Sequence, residues 1–220
     1  MIEFYSLQLQ PDLSGALYIP DYDTLLVADL HFEKGSSLAR FGVVIPPFDT
    51  RSTLDALEDV VTRLKPQTLI SLGDSFHDRG GPERLGADEL ARIAVLAAQT
   101  DLLWITGNHD PELPDELPGD VAEQITLGDL TLRHEPTLAA KGEICGHLHP
   151  AAIIKQRGRK VRRRCFALNK QRIFMPAFGA YTGGLNVKSD AYVPYWGGQG
   201  FVALMLGKTA IHQIPSRVLL

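Results

Sequence analysis

Four short stretches concentrate the side chains that hold metal ions: Asp29-Leu30-His31, Gly73-Asp74, Gly107-Asn108-His109-Asp110 and Gly146-His147-Leu148-His149. His134 lies alone between the third and fourth, and with it they hold five of the seven histidines. Any one of these pieces is common by chance. As an ordered set, each placed after an apolar run, they read as one metal centre assembled from loops. The donors are carboxylate, amide and imidazole without thiolate, which favours Mn²⁺, Fe or Zn²⁺ over a cysteine-type structural zinc. Seven candidates (Asp29, His31, Asp74, Asn108, His134, His147 and His149) are too many for one ion. Two ions sharing a bridging carboxylate are expected, at the separation of about 3.5–4 Å usual in such centres. A pair like that lowers the pKa of a bridging water, aims the resulting hydroxide for in-line attack and neutralises charge on a phosphoryl oxygen. His109 directly follows a candidate ligand and is the spare imidazole, suited to protonating a leaving oxygen or stabilising phosphoryl charge. Asp110 is expected to fix its tautomer and orientation.

The elements that must carry these groups follow from the apolar pattern. Thr24–Ala28, Thr68–Leu72 and Leu102–Thr106 are short continuous runs, as in strands buried on both faces, and each ends on a motif. Ligand sites in open α/β sheets lie at the carboxyl ends of the strands. If Asp29 and His31 sit on an extended end, positions i and i+2 point the same way and can grip one ion. Helices are predicted over Thr50–Lys65, stopped by Pro66, and over Ala87–Gln99, with a loop over Phe32–Asp49. Beyond the Pro111–Gly119 loop the pattern turns to short β runs: Gln124–Leu127, Leu130–His134, Glu143–Cys145, Ala151–Lys155, Arg164–Leu168, Arg172–Pro176, Gly200–Leu206 and Ala210–Ile214. Because both halves share the candidate ligands, residues 1–220 read as a single domain. Its fold class is α/β (α+β), a two-sheet β-sandwich flanked by helices.

Composition adds limits. A 220-residue chain with 45% hydrophobic and 22% charged residues can bury a proper core. Its apolar runs are too short to span a bilayer, and Met1-Ile2-Glu3-Phe4 does not start like a signal peptide. Cys145 and Cys165 make no disulfide framework; free thiols in a cytoplasmic protein are expected. The net charge of −4 conceals an asymmetry, since residues 153–189 hold ten Lys or Arg and no Asp or Glu. That strip, with Arg162, Arg163 and Arg164 at its centre, is either a polyanion-binding face or a solvated strand pair or loop.

The ordered motifs Asp-x-His, Gly-Asp, Gly-Asn-His-Asp, His and Gly-His-x-His resemble those of the calcineurin-like metallophosphoesterase superfamily from Asp29 to His149. The resemblance implies Asp29, His31, Asp74 and His149 on one ion, and Asp74, Asn108, His134 and His147 on the other. Asp74 is then the bridge and His109 the catalytic histidine. Asp29 to Ser37, Gly73 to Asp78 and Pro176 to Gly184 further resemble the bacterial DNA-ligase-associated metallophosphoesterases. That family implies a Mn²⁺-dependent phosphodiesterase, a nuclease linked to a DNA ligase, a helicase and a second nuclease in DNA repair. One departure stands out. Ser75-Phe76-His77-Asp78-Arg79 replaces the Asn or Asp and phosphate-contacting Arg that follow Gly-Asp in many phosphatase-like members, so substrate roles for His77 and Arg79 stay open. His77 reads equally as a partner of a ligand or as a loop residue, while Phe178 and Tyr181 read as base-stacking rings or as packing under a glycine-rich turn. The expected activity is phosphodiester hydrolysis of nucleic acid, DNA more than RNA. Hydrolysis of a small nucleotide and a non-catalytic scaffold are the rivals.

Overall fold

A computed structural model describes residues 1–220. The first sheet holds β1 (Ile2–Phe4), β2 (Leu7–Pro11), β3 (Leu17–Ile19), β4 (Thr24–Val27), β5 (Thr68–Leu72), β6 (Asp101–Ile105) and β7 (Asp120–Ala122), side by side in chain order. Strands β1 to β4 pair antiparallel, and β4 to β7 pair parallel. The second sheet holds β8 (Gln124–Leu127), β9 (Leu130–Arg133), β10 (Glu143–Cys145), β11 (Pro150–Gln156), β12 (Arg159–Leu168), β13 (Arg172–Phe174), β14 (Leu185–Asn186), β15 (Val202–Leu206) and β16 (Ile211–Pro215). Its order is β14-β11-β12-β13-β10-β9-β8, with β15 pairing to the inner half of β12 and β16 to β15.

Period-two alternation sorts the side chains into layers. Leu26, Ile70, Leu72 and Ile105 of the first sheet meet Leu132, Ile144, Phe166, Ile173 and Leu204 of the second in one apolar cluster between the sheets. The opposite face of the first sheet presents Leu25, Val27, Leu69, Leu102 and Trp104 to α2 (Asp49–Leu64) and α4 (Ala87–Gln99), through Leu54, Leu57, Val61, Ile93 and Leu96. Such burial on both faces is why β4, β5 and β6 read as short runs of mostly apolar residues. The outer face of the second sheet is closed by Tyr192, Trp196 and Phe201 over Phe174 and Met205. The architecture is the α/β sandwich of two sheets with flanking helices expected from the sequence. Cys145 and Cys165 are free and buried, and no helix is long and apolar enough to cross a membrane.

Three local expectations change. The segment read as a loop over Phe32–Asp49 contains a short helix, α1 (Lys34–Ala39), ahead of α3 (Gly81–Arg84) and α5 (Val193–Trp196) in the chain. Its Lys-Gly-Ser-Ser-Leu-Ala sequence is a poor helix former. Tertiary bonds decide, because the Asp49 carboxylate accepts from the Gly35 amide at 2.8 Å and Arg84 donates to the Ser36 hydroxyl at 2.9 Å. Strand β12 starts five residues earlier than its apolar run, since residues 159–164 pair with β11 across an Arg157-Gly158 turn. Both turn residues have positive φ, 49° and 80°, as a two-residue type I′ hairpin demands. Finally, β7 forms where no strand was expected, on the parallel edge beside β6.

The sequence pattern also conceals a buried ion pair. Glu143 and Arg172 face each other across β10 and β13, both with 0% exposed side chains and 3.0 Å apart. The Thr137 amide and hydroxyl donate to Glu143, and Arg172 donates to the Thr137 carbonyl at 2.8 Å. Arg172→Met should therefore destabilise the fold by about 3–5 kcal/mol, because it leaves the core carboxylate only one cation, Arg133, at the longer distance of 3.6 Å. Urea unfolding of the two proteins checks this, and an unchanged midpoint would contradict it.

Candidate metal centre

The parallel ends of β4, β5 and β6 bring Asp29, Asp74 and Asn108 to one edge of the first sheet. The parallel ends of β9 and β10 bring His134, His147 and His149 to the matching edge of the second. The chain leaves these strands through left-handed backbone at Asp29 (φ 54°), His31 (46°), Asp74 (48°), His147 (69°) and His149 (44°). The extended end expected for Asp29-Leu30-His31 is thus replaced by two left-handed residues that turn both side chains inward. Such conformations cost about 1–3 kcal/mol each and persist only where the surroundings fix them. Here the Asp29 and His31 amides donate to the Gly73 and Asp74 carbonyls at 3.2 and 2.9 Å. The His109 amide donates to Asp74 Oδ1 at 3.0 Å, and the His147 amide to Asp29 Oδ1 at 3.1 Å. Gly73 (φ 75°) lets the chain pass His134 closely, since a Cβ there would lie 2.5 Å from that side chain.

Two sets of donor atoms result. One oxygen or nitrogen from each of Asp29, His31, Asp74 and His149 lies within 4.8 Å of all the others, and so do those of Asp74, His134 and His147. Asn108 joins the second set with Oδ1 3.1 Å from His134 Nε2. Asp74 belongs to both. Asp29, His31, Asp74 and His134 are buried, while His147 and His149 are half-buried. The Nε2 atoms of His31 and His149 face each other at 3.3 Å, and His149 Nε2 stands 3.1 Å from Asp29 Oδ1. Burial and the neighbouring His149 push the His31 imidazole down to about 2, so its ring is neutral. Inward-facing imidazole nitrogens and carboxylate oxygens at these distances fit a divalent cation in each set.

Electrostatics divides the remaining groups. Burial raises the Asp74 carboxyl, but the His134 hydrogen bond and charge and the His109 amide outweigh it and hold it at about 2. Burial likewise works against a charged His134, yet the Asp74 hydrogen bond and the charges of Asp29 and Asp74 raise it to about 9. The His134 Nδ1 donates to the Leu72 carbonyl at 2.9 Å, which turns Nε2 toward the site.

The expected contact from Asp110 to His109 is not formed. Asp110 is buried beneath the loops, where its carboxylate accepts from the Gly107, Asp74 and Phe76 amides at 2.9, 3.1 and 3.0 Å. Burial raises it to about 6. Three amide donors in the turns compete better for this short side chain than the His109 ring, which turns instead toward Asp74 and His31. His109 instead donates from Nδ1 to the His77 carbonyl at 2.7 Å, leaving Nε2 3.9 Å from Asp74 Oδ2. The His77 and Leu72 carbonyls that set these tautomers carry no mark in the sequence, since every residue has one.

His77 lies closer to the centre than its sequence position implies. Its Nδ1 is 3.3 Å from His31 Nδ1 and its ring stacks on His109 at 5.4 Å between centroids. His31, His77 and His109 form a third set of donors within 4.8 Å. Asp78 is held by Arg84 at 2.8 Å, and Arg79 is exposed. The three arginines of the basic strip part company. Arg164 donates to the Ala177, Phe178 and Ser14 carbonyls, Arg162 donates to the Gly184 carbonyl, and Arg163 is exposed. Phe178 is buried against the helix layer, so it packs as the glycine-rich turn reading expects, whereas Tyr181 is partly exposed. A polar cleft of about 480 Å³ opens beside Asn108 and His134, lined also by Thr106, Gln124 and Arg133.

Comparison with known proteins identifies the class to which this fold and donor set belong. The calcineurin-like phosphoesterase family matches residues 22–162, and the chain belongs to that family. It is by membership a phosphoester hydrolase with a divalent-metal site of His and Asp donors. Among solved structures it is similar to the nuclease MPE of Pseudomonas putida, with 27% identity, a TM-score of 0.73, and 97% of this chain and 98% of that one covered. The YfcE phosphoesterase of E. coli is a more distant match at 16% identity and a TM-score of 0.43, covering 87% of this chain and 97% of that one. No curated protein matches the chain.

Proposed function

We propose that this protein is a two-metal phosphodiesterase acting on nucleic acid, a nuclease of bacterial DNA repair. The observation that carries the reading is the Asp74 carboxylate, common to both donor sets. In this reading Asp29, His31, Asp74 and His149 hold one ion, and Asp74, Asn108, His134 and His147 hold the other. The oxygen and imidazole donors suit Mn²⁺, Fe or Zn²⁺, and the resemblance to the DNA-ligase-associated branch supports Mn²⁺ among them. When bound, the ions would acidify a water and neutralise charge on the phosphoryl oxygens. The chain supplies the rest. Asp74 and Asp29 bring the negative charge that attracts the cations into a buried site. The Leu72 carbonyl keeps the His134 ring aimed inward, and Asp110 ties the turns after β5 and β6 together. His109, its Nδ1 committed to the His77 carbonyl, offers Nε2 to a phosphoryl or leaving oxygen entering beside Asp74. Residues 1–220 act as one domain, because the apolar layer between the sheets is continuous and both sheets supply donors.

Nucleic acid as substrate is supported by the full-length likeness to a nuclease. The stretches Asp29 to Ser37, Gly73 to Asp78 and Pro176 to Gly184 support the DNA-ligase-associated branch, and with it a cytoplasmic role beside a DNA ligase, a helicase and a second nuclease. The test is hydrolysis of a chromogenic phosphodiester, a phosphomonoester and labelled single-stranded DNA, each with Mn²⁺ and with chelator. Metal-dependent cleavage of diester and DNA, weak on the monoester, is the expected result. Diester cleavage without DNA cleavage would move the substrate to small nucleotides. No turnover by metal-loaded protein would leave only a scaffold.

The raised pKa of His134 makes a pH prediction. Below about 9 the ion-free imidazole keeps a proton that a metal must displace. Mn²⁺ affinity at that set should therefore rise by roughly tenfold per pH unit below this value and level off above it, with one proton released per ion bound. Calorimetry in buffers of different ionisation enthalpy reads the released proton directly. Its absence at neutral pH would remove His134 from the ligand set.

A further inference from the structure

Among the clusters, cavities and charged patches outside the metal centre, the hairpin of β11 and β12 stands apart by its unpaired charge. Lys155, Arg157, Arg159, Lys160 and Arg163 are all exposed on it. None lies within 4.0 Å of a carboxylate, whereas Arg51, Arg63, Arg84 and Arg92 elsewhere on the surface each hold one. No Asp or Glu occurs between Ile153 and Ser189 to neutralise the group. Five cations on one two-stranded ribbon repel one another, and the fold gives them no internal counter-charge.

The placement of the ribbon is equally specific. Strand β11 begins at Pro150, immediately after His149. Register pairs Lys155 with Lys160, and Gln156 with Arg159, at the far end. At about 3.3 Å per residue the cations extend some 20 Å from His149, the length of about six stacked nucleotides. At the base of the ribbon, Arg164 and Arg162 spend their donors on the Ala177, Phe178 and Gly184 carbonyls. Those two anchor the ribbon to the glycine-rich loop, whose Gly179 amide donates to the Asp29 carbonyl and whose Leu185 amide donates to that of His149. The ribbon is thus rigidly joined to the candidate metal centre, with its outer cations left over.

We propose that the β11–β12 hairpin is a phosphate track that holds a nucleic-acid strand leading into the metal centre. The inference rests on the phosphodiesterase reading for what lies at the end of the track. The cations on it that share the face of Arg162 and Arg164, and so run toward the metal centre, are Lys155 and Lys160, with Arg157 at the turn, whereas Arg159 and Arg163 lie on the opposite face. Backbone charge is read without reading bases, so the track is indifferent to sequence.

The test combines Lys155→Ala, Arg157→Ala and Lys160→Ala in one Mn²⁺-loaded variant, with none of the proposed ligands touched. Binding of a short labelled single-stranded oligonucleotide is followed by anisotropy across a salt series, beside turnover of the chromogenic diester. The track predicts oligonucleotide affinity at least about tenfold weaker at low salt, with a shallower slope against log salt, and diester turnover within about twofold of wild type. Unchanged oligonucleotide affinity with intact diester turnover would overturn it. Equal competition by polyglutamate, marking a general anion sink, would overturn it too. If wild type binds the oligonucleotide through the hairpin yet cleaves no diester, the track stands and the hydrolase reading falls.

Discussion

Asp74→Asn is expected to reduce phosphodiester turnover by at least about a thousandfold and to cut the bound metal from two ions to one or fewer. Asp74 is the only side chain common to both donor sets, and it is held ionised down to about pH 2. An asparagine keeps the shape and an oxygen for the His109 amide, which now sits 3.0 Å away. It removes the shared negative charge and turns an amide nitrogen toward one cation. Charge stabilisation by a bound ion amounts to several kcal/mol, and each 1.36 kcal/mol is about tenfold in rate. Folding should survive, since the change takes a buried carboxylate away from the neighbouring Asp29 site. Metal content, turnover and thermal unfolding are measured together. Two ions with near-normal turnover would remove Asp74 from the bridging position, and a loss of folded protein would assign it a structural part.

His109→Gln should lower turnover of DNA by about 10²–10⁴-fold while both ions are retained. Glutamine preserves a donor for the His77 carbonyl, which the imidazole Nδ1 now contacts at 2.7 Å. It cannot carry a proton from solution to a leaving oxygen. The role separates by leaving group. A nitrophenolate leaves without protonation, so the chromogenic diester should lose much less than DNA if His109 acts as an acid. Equal losses on both substrates would make His109 a stabiliser of phosphoryl charge instead. Unchanged turnover on both would exclude it from the chemistry.

The helices show how far local pattern reached. α2 occupies Asp49–Leu64 against an expected Thr50–Lys65, and α4 occupies the predicted Ala87–Gln99. Their apolar residues recur every three or four positions and their ends carry local stops. The Lys65 turn, with φ 49°, ends α2 just before Pro66. β4, β5 and β6 were legible for a related reason, since burial on both faces fills them mostly with apolar residues, the one mid-strand polar residue, Ser71, being paired with the Ser75 hydroxyl. The outer half of β12 was not, because its partner and the Arg157-Gly158 turn hold it, while its charged side chains mask any alternation. Helix α1 was hidden likewise, being made by the Asp49 carboxylate fourteen residues away.

At the candidate site the division is sharper. Which donor types exist, in what order, and that strands deliver them at their carboxyl ends can all be read from the residues alone. Those facts depend on side-chain chemistry and short apolar runs, which are local. How the donors meet is set by the folded chain. Asp29, His31, Asp74, His147 and His149 converge through left-handed backbone fixed by bonds between loops far apart in the chain. Asp110 was drawn from His109 to three amides, and the His77 carbonyl took its place. Arg164 and Arg163 are neighbours of one type, yet one is held by the carbonyls of the glycine-rich loop and the other is exposed, bonding only to its own neighbour's carbonyl, because adjacent residues of a strand point to opposite faces. A side chain's chemistry is written in its own residue, whereas its partners are chosen by whichever distant backbone the fold sets beside it.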